Sequence, residues 1–247
     1  MKYLISFLFL ALAFSMKSEA KVTLPSILGY NMVLQQQAEV KLWGKARPNA
    51  TVTVKTSWNG QTYKSSSDDK GGWSLTVSTP VAGGSYKITF NDGELLTLQN
   101  VLIGEVWFCS GQSNMEMPMG GFDRQPVRGA NDIIAKAKPS TPIRMYTTDS
   151  KDGRWVRQFS KTPAEDCQGE WLENTPVNVS HISAVSYYFA RYIQEVLEVP
   201  VGIVVSTWGG SKVEAWMSRE SIKPFSSIDL SILNNDAEVK NPTATPC

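Results

Sequence analysis

The residues best placed to do chemistry are Gly111-Gln112-Ser113-Asn114, a glycine-containing turn that follows the apolar run Val106-Trp107-Phe108-Cys109 and precedes a short helical turn. A serine there sits at the carboxyl end of a strand, where open α/β sheets place their ligands. Its hydroxyl is presented for nucleophilic attack, and its own N–H can donate to a developing oxyanion. A second turn, Trp208-Gly209-Gly210-Ser211, follows another apolar run, Val201-Gly202-Ile203-Val204-Val205. Adjacent glycines let a backbone approach a ligand closely, and a glycine N–H is a natural second oxyanion donor. The residues leave open whether Gly209 or Gly210 supplies it. Singly such turns are common; two of them at neighbouring strand ends point to acyl transfer.

A serine hydroxyl needs a base, and the chain of 247 residues holds one histidine. That residue, His181, precedes the start of the helix expected over Ser183 to Glu198, where the helix field disfavours imidazolium. It is read as structural. Three cysteines (Cys109, Cys167, Cys247) without a C-x-x-C spacing argue against a zinc ribbon or a disulfide scaffold. Cys109 is read as a small buried residue of the strand. Asp68-Asp69-Lys70-Gly71 is a solvated turn, and a single histidine rules out most His-rich metal sites. Lys+Arg 24 against Asp+Glu 23 leaves no basic excess, so neither nucleic acid nor an anionic membrane is an expected partner.

The elements that must position the two turns fall into two regimes after a leader. Residues 1–20 carry a basic start, an apolar stretch and a small-x-small end at Ser18-Glu19-Ala20, which predicts a Sec signal peptide cut after Ala20 and a secreted or periplasmic chain. Residues 21–100 alternate or are β-branched at Val40–Trp43, Thr51–Lys55, Trp73–Val77 and Tyr86–Phe90. Asn59-Gly60, Gly71-Gly72, Gly83-Gly84 and Asp92-Gly93 punctuate them, which predicts an antiparallel, Ig-like β-sandwich. Residues 101–247 read as α/β. Strands are expected around Val106, at Ile143–Thr148 and at Val201–Val205. Asn131 is expected to cap a helix over Asp132–Lys138. The strongest helix, Ser183 to Glu198, carries Val185, Tyr188, Phe189, Tyr192, Ile193, Val196 and Leu197 on one stripe.

Gly104-Glu105-Val106-Trp107-Phe108-Cys109-Ser110-Gly111-Gln112-Ser113-Asn114-Met115-Glu116-Met117 resembles the serine block of the sialate O-acetylesterase family, a branch of the SGNH-type carbohydrate esterases. The likeness continues through Ile143-Arg144-Met145, Ser183–Arg191, Val199–Ile203 and Trp208–Trp216. Upstream, Asn31–Gln35 and Trp43-Gly44 resemble the family's N-terminal β-domain. The resemblance implies a flavodoxin-like three-layer fold and hydrolysis of acetyl esters on sialic acid or related glycans, without a cofactor. It implies Ser113 as nucleophile, the N–H groups of Ser113 and of Gly209 or Gly210 as oxyanion donors, and Gln112, Asn114, Trp208, Glu214 and Trp216 as substrate-facing residues. Two blocks of the family are missing: Trp-Tyr-Gln-Gly-Glu, and the late Asp-x-x-His that supplies the base. Gln168-Gly169-Glu170 stands in the wrong order to replace the first. With three core strands where the family has five, a C-terminally truncated sequence is expected. Acetylxylan or pectin acetylesterase, or a non-catalytic glycan-binding fragment, are the alternatives.

Overall fold

The computed structural model describes residues 22–151, 154–155 and 164–227; the expected leader and Cys247 lie outside them. In chain order the elements are β1 (Val33–Gln35), β2 (Glu39–Lys45), β3 (Thr51–Thr56), β4 (Thr62–Ser66), β5 (Gly72–Ser78), β6 (Gly83–Asn91), β7 (Leu95–Gly111), α1 (Ser113–Glu116), α2 (Ala130–Ala135), β8 (Ile143–Thr147), β9 (Ser150–Lys151), β10 (Arg154–Trp155), β11 (Trp171–Glu173), α3 (Pro176–His181), α4 (Ala184–Leu197), β12 (Val201–Thr207) and α5 (Arg219–Ile222). A 3₁₀ turn over Val213–Trp216 precedes α5.

Most strands join one mixed sheet in the order β11-β8-β12-β7-β6-β3-β4, with β1 also paired to β7. β2 and β5 form a separate antiparallel pair, and Trp73 of β5 packs on Phe90 of β6 with ring centroids 5.9 Å apart. The alternation that predicted β3 is realised by the burial of Val52 and Val54. The expected boundary near residue 100 falls inside β7, a single strand of 17 residues. Its first part pairs antiparallel with β6 as far as Ile103, and its second pairs parallel with β12 from Glu105 to Gly111.

β8, β12 and β7 are parallel, with antiparallel β11 at the edge. Their order places the serine-bearing strand at the end of the trio; in the flavodoxin-like order the first strand lies between the second and third. Parallel strands are buried on both faces, and Val201–Val205 is buried throughout, as its continuous apolar run requires. Ile203 and Val205 face a core shared with Tyr187 and Ala190 of α4, while Val204 joins Tyr146 and Trp171 in the core of the N-terminal strands.

Two glycines let the layers close. A Cβ on Gly104 would stand 2.0 Å from the Pro200 carbonyl oxygen, and one on Gly202 would stand 2.8 Å from Cβ of Val33. Beside this crossing lies a polar network. Arg144, 4 % exposed, pairs with Glu173 at 3.1 Å. Asn100 Nδ2 donates to the same carboxylate at 3.1 Å and to Asn31 Oδ1 at 2.8 Å. Asn100 (φ 58°) and Asn31 (φ 64°) are both left-handed, a conformation asparagine tolerates better than most side chains. Burial pushes the Arg144 guanidinium below its usual range, and Glu173 opposes that shift.

Helix ends and faces depart from the sequence reading in three places. α2 is capped by Gly129 (φ 74°), not Asn131, and ends at Ala135. α4 starts and stops as expected, with Ser183 Oγ accepting the Ser186 N–H and Glu198 in a left-handed C-cap. Its buried face, however, is Ala184, Ser186, Tyr187 and Ala190, because small residues let the helix lie close on the sheet. Most of the apolar stripe is exposed instead, Tyr192 to 65 %.

Gly104→Ala is expected to cost more than about 3 kcal/mol or to prevent folding, because a backbone carbonyl cannot yield as a side chain can. Gly60→Ala, with φ 68° but open space around it, is expected to cost only about 1–2 kcal/mol. Urea unfolding of the two variants beside the parent chain checks both.

Candidate active site

Strand ends position the two turns against each other. β7 ends at Gly111 and β12 at Thr207, and these two residues are paired in register. Gly111 has φ 154°, and a Cβ on it would stand 2.8 Å from Cγ of Met115, so the chain can bend sharply into α1 only without a side chain. Met119, fully buried, packs below. Ser113 opens α1 and is exposed, as are Gln112 before it and Asn114 after it. The α1 turn is closed by the Glu116 N–H donating to the Gln112 carbonyl and the Met117 N–H to the Ser113 carbonyl, each at 3.0 Å.

The glycine turn is bound to the serine turn at three points. The Trp208 N–H donates to the Gly111 carbonyl at 3.0 Å. The Gln112 side-chain amide donates to the Ser211 carbonyl, and the Gly209 N–H donates to the Glu116 carboxylate. A Cβ on Gly209 would lie 3.4 Å from Ser113 Oγ and 3.2 Å from Glu116 Oε2, so both oxygens lie on the same side of the glycine. Gly210 has φ 73° with open space where a Cβ would be. Ser211 Oγ donates to the Trp208 carbonyl at 2.7 Å and accepts the Trp216 indole N–H at 2.8 Å.

These contacts sort the expected residues. Ser113, Gly209, Gly210, Gln112, Trp208 and Trp216 are gathered into one constellation, in which Gln112 and Trp216 spend polar groups on the turn itself. Asn114 lies on α1, and Glu214 lies in the 3₁₀ turn. The sequence reading missed Glu116. Its spacing, Ser113-x-x-Glu116, is that of a capping box, yet α1 has no side-chain cap and the carboxylate reaches across to Gly209.

His181 is exposed and is the last residue of α3, a helix the sequence reading did not expect. It therefore closes one helix while standing, as expected, two residues before Ser183 caps the next. With Glu116, Glu170, Thr147 and Asn178 it lines a cavity of ≈ 150 Å³, and Ser113 is not part of that wall. Glu170 follows Gly169, which is held against the Tyr146 ring. Asp68 forms the expected turn, accepting the N–H groups of Lys70 at 2.8 Å and Gly72 at 2.7 Å, and these bonds lower its carboxyl pKa. Among the described residues no cluster of histidine, cysteine and carboxylate side chains could hold a metal ion, and no helix is long and apolar enough to cross a membrane.

No family model matches the chain. It is 29 % identical over 216 residues to the sialate O-acetylesterases of Pongo abelii and Homo sapiens, covering 80 % of this chain and 39 % of each of those proteins. It is 30 % identical over 207 residues to the sialate O-acetylesterase of Rattus norvegicus, covering 78 % of this chain and 36 % of that protein. A solved structure, a carbohydrate acetylesterase from Xanthomonas citri, superposes with a TM-score of 0.74 at 31 % identity. That match covers 87 % of this chain and 46 % of the other. The kinship inferred from the serine block stands, and the chain spans less than half the length of these relatives.

Cys109, half-buried on the strand leading to Ser113, has its thiol pKa raised by burial, with a Ser186 hydrogen bond opposing. Because the thiolate is the reacting species, iodoacetamide at neutral pH is expected to label Cys109 at least about tenfold more slowly in the folded chain than in urea. Site-resolved peptide mapping reads the difference.

Proposed function

We propose that this chain is the serine-bearing part of an exported carbohydrate O-acetylesterase acting on acetylated sialic acid or related glycans. The observation that carries the reading is the contact between the two turns. Gly209 lies against Ser113 Oγ at the carboxyl ends of neighbouring parallel strands, and both relatives and structural neighbour bear esterase names. On this reading residues 21–100 are an Ig-like β-sandwich, and residues from 101 onward begin an SGNH-type sheet. The leader is removed after Ala20; the intact mass of the exported protein checks this by starting at Lys21.

In the reaction Ser113 Oγ attacks the ester carbonyl as its proton passes to a base. The tetrahedral oxyanion is held by backbone N–H groups, each worth about 3–4 kcal/mol in comparable enzymes. Collapse expels the sugar hydroxyl, which regains a proton, and leaves an acetyl-serine that water clears. At neutral pH the serine is almost wholly protonated, so the base is decisive. On this reading His181, which lines a cavity whose wall does not include Ser113, is not that base. The base and its orienting carboxylate belong to a further part of a longer protein, and the span alone is confined to trace turnover from its oxyanion donors.

In a protein of the relatives' full length that carries this span, Ser113→Ala is expected to reduce acetyl release by at least about a thousandfold with the fold intact. Residual activity within tenfold of the parent overturns the assignment. The span alone is assayed beside it on an aryl acetate. A tenth of the full-length rate, abolished by His181→Ala, would make His181 the base after all.

A further inference from the structure

We infer that Glu116 is a positioning residue whose carboxylate fixes the glycine turn against the serine turn and takes the Gly209 N–H out of the oxyanion set, leaving the Ser113 and Gly210 N–H groups as the backbone donors. The inference rests on the serine reading above and assigns what the sequence left open between the two glycines.

Four hydrogen bonds support it. Glu116 is the last residue of α1, whose turn is closed by its own N–H, so the carboxylate leaves a rigid base at a fixed height above Ser113. It accepts the Gly209 N–H on the same face of Gly209 where Ser113 Oγ lies. Within the turn the Trp208 N–H is spent on the Gly111 carbonyl, and the Ser211 N–H on the Trp208 carbonyl at 3.3 Å. With Gly209 given to Glu116, Gly210 is the member of the turn left for a ligand, and its left-handed φ and open surroundings suit close approach.

Charge makes this arrangement informative. A Cβ placed on Gly209 would meet Glu116 Oε2 at 3.2 Å and Ser113 Oγ at 3.4 Å, so the two oxygens lie on one side of the glycine. An ionised carboxylate this close opposes an oxyanion formed at the serine. A residue that only tuned charge would be better absent, whereas one that holds the turn is useful through its oxygen and not its charge. Glutamine keeps the acceptor and removes the charge, so it separates the two roles.

The test begins with the full chain labelled with ¹³C-carbonyl tryptophan and ¹⁵N-glycine. The sequence has two Trp-Gly steps, Trp43-Gly44 and Trp208-Gly209, so only those glycine amides are selected. Gly44 lies far from the serine turn, against Thr23, and serves as the internal control. Glu116→Gln is expected to shift the Gly209 peak and leave Gly44 in place. Glu116→Ala should speed hydrogen exchange at Gly209 at least about tenfold. A Gly209 peak indifferent to both substitutions overturns the inference.

The second arm uses the protein of the relatives' full length. There Glu116→Ala should lower kcat about tenfold or more with KM within about twofold, while Glu116→Gln restores kcat to at least the parent value. Equal loss in both variants overturns the positioning role. If Ser113→Ala leaves hydrolysis untouched, the esterase reading fails on its own, and the amide peak still decides whether Glu116 holds Gly209.

Discussion

One strand has to serve two differently built neighbourhoods. β7 runs antiparallel beside β6 and then parallel beside β12, and the change of partner takes place within two residues, between Ile103 and Glu105. The residue between them is Gly104, over which the Pro200 carbonyl closes at a distance no side chain permits. Everything downstream inherits its position from that crossing. The parallel register of β7 and β12 brings Gly111 opposite Thr207, and so brings the serine turn opposite the glycine turn. The bend at Asn100, and the Glu173 carboxylate that joins it to Arg144, secure the crossing from the side.

The chemistry at the strand ends is backbone chemistry. Main-chain groups of Gly111, Trp208, Gly209 and Ser211 form the contacts between the turns, and the side chains of Gln112 and Glu116 complete them. Such a site needs glycine at Gly111, where the chain turns into α1. Placing donors on rigid backbone fixes them before any charge develops, which is the condition under which they lower a barrier most.

Much of this was legible from sequence because local physics dictated it. β8, β12 and α4 were announced by a strand-like run, a continuous apolar run and a helical period, and α4 lies within one residue of its expected ends. β4 was missed because Tyr63 is the one apolar residue of Thr62–Ser66 and shares its half-buried face with Ser65, so no hydrophobic alternation marks it. The continuity of β7 was missed because Asn100 and Gly104 look like breakers, whereas the fold uses one as a bend and the other as a close contact. α3 was missed because its cap, Thr175 accepting the Asn178 N–H, precedes a run too short for a helical period. The buried face of α4 could not be told from its stripe, since Ala184 and Ala190 bury by size and not by hydrophobicity.

That last point bears on how the serine half relates to the whole. The outward face of α4 carries Phe189 against Trp107 at 5.0 Å, and Phe108 beside it is 66 % exposed. The two β7 aromatics lie five and six residues before Ser113, on a stretch of strand whose partner among the described residues is β12 alone. Exposed aromatic surface next to an unpaired strand edge is costly in water and prone to association. The same stretch of β7 does two things at once. Its hydrogen bonds to β12 hold Ser113 against the glycine turn, and its neighbouring aromatics Trp107 and Phe108 project to opposite faces of the sheet.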